Sequence, residues 1–182
     1  MDFVDDDAPR PREERMAADL HALQQPGLPP GVQVAGIFSL GKNRYAPAIP
    51  TIEGFLQDAD PTVRAEALKV LIRYYKLDRH WETARQFLLY DPSNWPRIIA
   101  AELLGEIRRD TNDPQTLALL ANVVLNAEEE PLIRGGAYTA MEMIRHYDRR
   151  IHPLRVAKHL EDIPDVDWPW VKQCATWTPN QP

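Results

Sequence analysis

The segment DADPTVRAEALKVL, residues 58–71, is the clearest copy of a pattern that recurs along this chain of 182 residues. Each copy has a small apolar residue at its centre, and the centres are Gly36, Ala67, Ala100, Ala137 and Ala175. Neighbouring centres lie 31 to 38 residues apart, within the range of about 20–50 residues in which one supersecondary unit stacks on the next. The recurrence therefore indicates a repeat protein.

The helical spacing of apolar residues predicts that each repeat is a pair of helices. The predicted helices cover residues 11–24, 32–41, 46–57, 61–76, 79–90, 94–109, 113–126, 130–147, 151–163 and 168–177. The second helix of each pair opens near a proline, as a first helical turn allows, and Asp60 and Asn94 are candidate N-caps. No segment alternates with the two-residue period of a strand, so we predict an all-α fold.

Within the second helices, apolar residues recur at intervals of four, three, one and three residues. The predicted core positions are Val63, Ala67, Val70, Leu71 and Tyr74 in one repeat, Pro96, Ala100, Leu103, Leu104 and Ile107 in the next, and Ile133, Ala137, Ala140, Met141 and Ile144 in the third. A stripe with this spacing faces the partner helix and the neighbouring pair. The small central residue indicates a close approach of helix axes, so a larger side chain there should overpack the core.

The composition fits one globular domain, since 44% of the residues are apolar and the length is that of a single domain. Acidic residues outnumber basic ones, 27 to 21, and the net charge of −6 disfavours nucleic acid and favours a basic protein surface as partner. We predict a flexible acidic lead over residues 1–10, which carry Asp2, Asp5, Asp6 and Asp7. A single repeat domain should follow over residues 11–182.

The sequence favours a cytoplasmic protein. Cys174 is the only cysteine, which excludes an intramolecular disulfide framework and a zinc site built on cysteines. The N-terminus has no basic region followed by an apolar stretch, so no secretory signal is predicted. The longest apolar run, residues 117–125, is about half the length of a membrane span and predicts a core helix.

A basic residue recurs near the start of the second helices, at Arg64, Arg97, Arg134 and Lys172. An acidic residue lies six positions earlier in three copies: Asp58, Asp91 and Glu128. An arginine fork can bond to a carboxylate of its own or an adjacent repeat, so these residues are interpreted as a structural ladder. The alternative is a row of basic groups that binds anions.

Residues 58–71, together with the preceding stretch SLGKNRYAPAIPTIEGFLQ at residues 39–57, resemble the HEAT-like repeats of many bacterial proteins, including phycobilin lyases. The resemblance covers nearly the whole chain from about residue 31 and is strong in residues 40–75. It implies an α-solenoid of about four to five stacked antiparallel helix pairs, with second helices lining a concave face. Members of this broad class are mostly scaffolds, adaptors and inhibitors, and a minority are enzymes.

If the second helices line a groove, the residues between their core stripes change from basic to acidic to nearly neutral along the chain. This variation suits a shaped protein epitope better than a uniform polymer. The predicted partner-binding residues are Glu66, Lys69, Arg73, Ile99, Glu102, Glu106, Thr139, Met143 and His146. Ile98, Ile99, Gly135, Gly136 and Met143 would form an apolar centre ringed by charge, unless the adjoining repeat covers Ile98 or Ile99.

Neither a catalytic site nor a metal or cofactor site is predicted. The histidines match no zinc motif, none is directly followed by glutamate, and no glycine-rich phosphate loop is present. Cys174 would need a base to act as a nucleophile, and His159 is the candidate. Trp168, Trp170 and Trp177 crowd the C-terminal end, where they form a cap over the open core or, alternatively, an aromatic ligand site.

These features predict a protein–protein interaction scaffold, adaptor or immunity-like inhibitor that binds another protein on its concave face without a cofactor. The net charge favours a partner with a basic surface, and neither nucleic acid nor a membrane is expected to bind. The alternatives are a bilin-lyase-like enzyme subunit, which the resemblance allows, and a solenoid that binds a small molecule.

Overall fold

The computed structural model describes residues 11–145 and 158–178. All regular secondary structure in these residues is helical, which confirms the all-α prediction. The α-helices are α1 Arg12–Leu23, α2 Pro30–Lys42, α3 Ile49–Gly54, α4 Pro61–Lys69, α5 Trp81–Tyr90, α6 Asn94–Ile107, α7 Pro114–Leu125, α8 Pro131–Ile144 and α9 Trp168–Ala175. A π-helical turn, Val70–Tyr74, continues α4, and short 3₁₀ turns lie at Ala46–Ala48, Phe55–Gln57, Asp78–His80 and Leu160–Asp162. The predicted acidic lead, residues 1–10, lies outside the described residues.

Proline and aspartate begin several of these helices. Helices α4, α7 and α8 start with proline, whose missing N–H costs little in a first turn. The Asp60 carboxylate accepts hydrogen bonds from two backbone N–H groups of the first turn of α4, so this predicted N-cap is confirmed. Asp113 and Asp167 cap α7 and α9 in a similar way. The prediction for Asn94 is wrong, because Ser93 is the N-cap and Asn94 is already the first residue of α6.

The second helices pack against one another in chain order. Helix α2 contacts α4, α4 contacts α6 and α6 contacts α8, while α1, α3, α5 and α7 each contact the helix that follows. Gly105 marks a close approach in this row, since a Cβ there would lie 2.9 Å from Ala140 Cα. The absence of a side chain at Gly105 therefore allows α6 and α8 to come this near.

Most of the predicted apolar stripe of the second helices lies in the core, whereas Tyr74 and Ile107 are only partly buried. Three of the five predicted centres, Ala67, Ala100 and Ala137, are fully buried. Gly36 and Ala175 are only partly buried. Large side chains from the same stripe are also fully buried, among them Leu71, Leu103, Leu104, Ile133, Met141 and Ile144. Close packing around small central residues leaves little room for added volume.

The C-terminal part departs from the predicted pairing. Residues 151–157 of the predicted helix 151–163 lie outside the described residues. The rest of it, residues 158–163, contains only the 3₁₀ turn Leu160–Asp162. This turn packs against α8, where a Cβ on Gly135 would collide with the Lys158 carbonyl oxygen. The turn Leu160–Asp162 occupies one side of α8. Helix α9 packs mainly against α7 and does not extend the row of second helices. Lys172 on α9 is exposed.

A polar cluster links α3 to the turn before α5. Glu53 Oε1 accepts a hydrogen bond from Arg79 Nη2 at 2.6 Å and lies 3.1 Å from His80 Nε2. Burial lowers the pKa of His80 below its ordinary value of 6.5, against the opposing effect of the Glu53 carboxylate. The folded state therefore favours neutral His80.

We expect the free energy of unfolding to fall as the pH decreases through 6.5, because the unfolded chain binds a proton on His80 before the folded chain does. Urea titrations between about pH 7.5 and pH 5.5 measure this dependence. The variant His80→Gln should show a flatter dependence, since its side chain does not titrate. His21→Gln, at an exposed position of α1, is the matched control and should follow the wild type. Equal slopes for His80→Gln and the wild type would contradict the expectation.

Candidate functional site

The outer surface of the second helices presents two positions from each repeat. The position two residues after the central small residue holds Phe38, Lys69, Glu102 and Thr139, and the position six residues after it holds Lys42, Arg73, Glu106 and Met143. All eight residues are at least partly exposed. We call these eight residues the second-helix face.

The predicted positions one residue before the centre are buried. Ile99 is 8% exposed, and Gly136 is also buried. Ile98, two residues before the centre, is 7% exposed. This burial supports the interpretation in which adjoining helices cover the isoleucines. Glu66 is 9% exposed and forms an ion pair with Lys69, and its Oε1 atom accepts no hydrogen bond from the described residues.

Arg73 bridges two carboxylates of α6 from the π-helical turn after α4. Its Nε donates to Glu106 Oε2 at 3.0 Å, and its Nη2 donates to Glu102 Oε1 at 2.8 Å. Burial lowers the pKa of Arg73, but the hydrogen bonds and charges of both glutamates outweigh this effect and raise it. The side chains of Arg73, Glu102 and Glu106 are 29%, 38% and 24% exposed. The cluster is thus accessible to solvent and carries one negative charge in excess.

The remaining predicted residues lie at the α8 end of the second-helix face. The Thr139 hydroxyl donates to a backbone carbonyl of its own helix at 3.0 Å, and Arg109 Nη2 lies 3.2 Å from the sulfur of Met143. His146 lies outside the described residues. This end of the face is therefore nearly neutral apart from Arg109.

The opposite end of the face is aromatic and basic, and its residues Phe38 and Lys42 are not among the predicted partner-binding residues. Phe38 is 38% exposed and packs edge-to-face against Tyr74, with 5.8 Å between the ring centroids. Lys42 Nζ lies 5.9 Å from the centroid of the Phe38 ring. Extending the repeat alignment to α2 would have found both residues, because Phe38 and Lys42 occupy the repeat positions of Lys69 and Arg73.

The predicted ladder arginines each approach a carboxylate of the next repeat. Arg64 donates from Nε and Nη2 to the two Asp91 oxygens at 2.9 and 2.8 Å, and Arg97 Nη2 donates to Glu129. Arg134 Nη1 lies 3.8 Å from Glu161 Oε1. These contacts connect successive repeats across the loops.

The ladder acids differ in their roles. Asp91 receives the Arg64 fork, whereas Asp58 accepts from Arg64 through its backbone carbonyl at 2.8 Å and uses its carboxylate for the N–H of Asp60. Glu128 is exposed, and its neighbour Glu129 makes the contact with Arg97. The partner of each arginine thus depends on the path of the following loop.

A cleft of about 220 Å³ lies between α7 and α9. Its lining residues are Pro114, Leu117, Trp170, Gln173, Cys174 and Trp177. Burial raises the pKa of the Cys174 thiol, which keeps it protonated near neutral pH and makes it a poor nucleophile. The Arg145 guanidinium stacks 4.3 Å from the centroid of Trp170. The cleft offers apolar contact area and one amide.

A second groove, of about 500 Å³, lies between the loop after α1 and the end of α3. Leu23 and Phe55 are its apolar lining, and the amides of Gln24, Gln33 and Gln57 are among its polar groups. Gln24 already donates to Thr51 across the groove at 3.1 Å. The groove provides neutral hydrogen-bonding groups and few charges.

Among the described residues, no three His, Cys, Asp or Glu side chains come together in a way that could hold a metal ion. None of the helices in the same residues combines the length and apolarity needed to cross a membrane. Comparisons with protein-family models, curated proteins and solved structures found no match to this chain. The HEAT-like resemblance therefore stays a prediction. The observations that bear on function are the geometry of the second-helix face and of the two clefts.

Proposed function

We propose that the helix pairs stack as a HEAT-like α-solenoid and that the chain is a protein–protein interaction module, acting as a scaffold, an adaptor or an immunity-like inhibitor. The consecutive contacts of α2, α4, α6 and α8 support this architecture, since repeats in a solenoid contact their nearest neighbours. Such a stack presents its second helices as one continuous surface, and we place the partner there. A cytoplasmic location belongs to the proposal, because a lone Cys174 suits a reducing compartment.

The observation that carries the proposal is the partly exposed cluster of Arg73, Glu102 and Glu106 in the middle of the second-helix face. Contacts between neighbouring helices hold these side chains in place before a partner arrives, so binding has a smaller ordering cost. Exposed ion pairs contribute little to stability, which leaves recognition as the better explanation for two carboxylates around one arginine. Their excess negative charge favours a basic group on the partner.

We expect the double variant Glu102→Lys, Glu106→Lys to bind such a partner about ten-fold or more weakly, because two attractive charges become repulsive. The tagged full chain is first used to purify its partner from the native lysate, with mass spectrometry of the co-eluting proteins. The purified partner is then titrated against the wild type and the variant.

The matched control is Glu128→Lys, Glu130→Lys, which changes the net charge equally at two exposed positions between α7 and α8. Binding that survives in this control and is lost in the face variant would support the proposal. Unchanged binding by the face variant would place the interface elsewhere and contradict it. Circular dichroism of all three proteins shows whether each is folded.

A small-molecule role is the second candidate, and the cleft lined by Trp170 and Trp177 favours it. Its volume is below the usual range of about 300–1,000 Å³ for ligand sites, so it suits a ligand of one or two rings. Quenching of tryptophan fluorescence by small aromatic compounds would favour this function. A bilin-lyase-like role predicts instead a coloured complex when the protein is mixed with a bilin, whereas an interaction module predicts none.

A further inference from the structure

The end of the second-helix face at α2 and α4 carries exposed cations without carboxylate partners. Lys42, Arg44 and Lys76 are exposed, and within the described residues no carboxylate lies within ion-pair distance of them. Most other arginines of the second helices do have such partners, as Arg64 and Arg73 illustrate. A chain with a net charge of −6 thus has a positive patch at this end.

Hydrogen bonds of the Tyr75 side chain join the two segments that carry these cations. The Tyr75 hydroxyl donates to the carbonyl oxygens of Leu40 at 3.2 Å and Tyr45 at 2.8 Å, which joins the end of the π-helical turn to the end of α2. Arg44 and Lys76 follow these two helix ends with left-handed φ angles of 52° and 60°. Arg44 and Lys76 therefore follow the C-terminal ends of α2 and of the π-helical turn, which are neighbours in the row of second helices.

The exposed Phe38 ring lies beside Lys42 and contacts Tyr74. The ring packs edge-to-face against Tyr74, and Lys42 Nζ lies over the ring face. A cation near a helix C-terminus is favourable for the helix itself, but that effect does not explain a large apolar ring left 38% exposed next to it. Aromatic residues surrounded by charge are typical of the central contacts of protein interfaces.

We propose that the basic–aromatic patch, defined as Phe38, Lys42, Arg44, Tyr74 and Lys76, binds an acidic peptide segment of the partner protein that carries an aromatic side chain. The inference rests on the proposed protein-binding function and names the partner's chemistry at one end of the same face. The carboxylates of the segment pair with the three cations, and its aromatic ring packs on Phe38 and Tyr74. A short acidic segment can stay on the patch, whereas a long phosphate backbone would also meet the negative charge of the rest of the chain, which disfavours nucleic acid.

The test uses the full chain and a fluorescein-labelled peptide of alternating glutamate and phenylalanine, followed by fluorescence anisotropy. The double variant Lys42→Gln, Lys76→Gln is expected to weaken binding about ten-fold, and Phe38→Ala to weaken it by a similar factor. Lys172→Gln, an exposed lysine of α9, is the matched control and should bind like the wild type. Binding should also weaken as salt is added, since exposed charges are screened.

Four results would overturn the inference. The first is equal affinity for a peptide with glutamine in place of glutamate, and the second is tighter binding of single-stranded RNA than of the acidic peptide. The third is an affinity for the acidic peptide that rises about ten-fold in the variant Asp5→Asn, Asp6→Asn, Asp7→Asn. Such a rise would mean that the chain's own acidic residues occupy the basic–aromatic patch. If the peptide does not bind but the purified partner is lost by Glu102→Lys, Glu106→Lys, the inference fails while the proposed function stands.

Discussion

The variant Arg64→Met is expected to lower the free energy of unfolding by about 3 kcal/mol, the lower end of the range for breaking a buried ion pair. Arg64 donates to both Asp91 oxygens and to the backbone carbonyls of Asp58 and Ala59. The side chains of Arg64 and Asp91 are only 11% and 4% exposed. Methionine fills similar space but leaves the Asp91 carboxylate buried, with the Ser93 N–H as a remaining donor.

The matched control for this prediction is Arg85→Met. Arg85 pairs with Glu82 on the surface of α5, where the two side chains are 33% and 56% exposed, so its loss should cost less than about 1 kcal/mol. Urea unfolding of the full-length proteins gives both values. A loss at Arg64 no larger than at Arg85 would show that the ladder is not structural and would return the anion-binding interpretation.

The variant Ala100→Leu is expected to destabilise the protein by about 2 kcal/mol through overpacking. Ala100 is fully buried in α6, and α6 packs against α4, α5 and α8. The added side chain has to displace one of these neighbours or adopt a strained rotamer. For a chain of this size, such a loss lowers the melting temperature by roughly 4–8 °C.

Ala18→Leu is the matched control, because Ala18 is an exposed residue of α1. The same increase in volume at this surface position should change the stability by less than about 0.5 kcal/mol. Thermal melts followed by circular dichroism compare the two variants. An unchanged melting temperature for Ala100→Leu would contradict the repeat register and the packing of α6.

Much of the helical framework could be predicted from local patterns in the sequence. The interval of four, three, one and three residues in the second helices correctly identified buried Ala67, Ala100 and Ala137, because side chains at this spacing share one helix face. Asp60 was recognisable as an N-cap from its place before Pro61. Asn94 was misjudged by one residue, since Ser and Asn next to each other offer the same local signal.

The candidate site depended more on packing. Repeat positions in the sequence predict Arg73, Glu102 and Glu106 one by one, but their contacts join residues 29 and 33 positions apart. The Phe38 contact with Tyr74 likewise spans two repeats. Glu128 is the predicted acid of the ladder, but Glu129 makes the contact with Arg97. Neighbouring residues of a loop point in different directions, so their spacing in the sequence does not decide which one faces an arginine.

The sequence alone predicts the helical class, the positions that recur and the apolar stripe. All three arise from short-range periodicity and the conformational limits of proline. Three features are decided by the packing of the helices and are not contained in any local pattern. Helix α9 lies beside α7, Ile99 is buried, and Arg73 lies between two glutamates. These features depend on how closely neighbouring helices approach and on the paths of the loops between them. Such distances are set by the sum of many contacts between residues far apart in the chain.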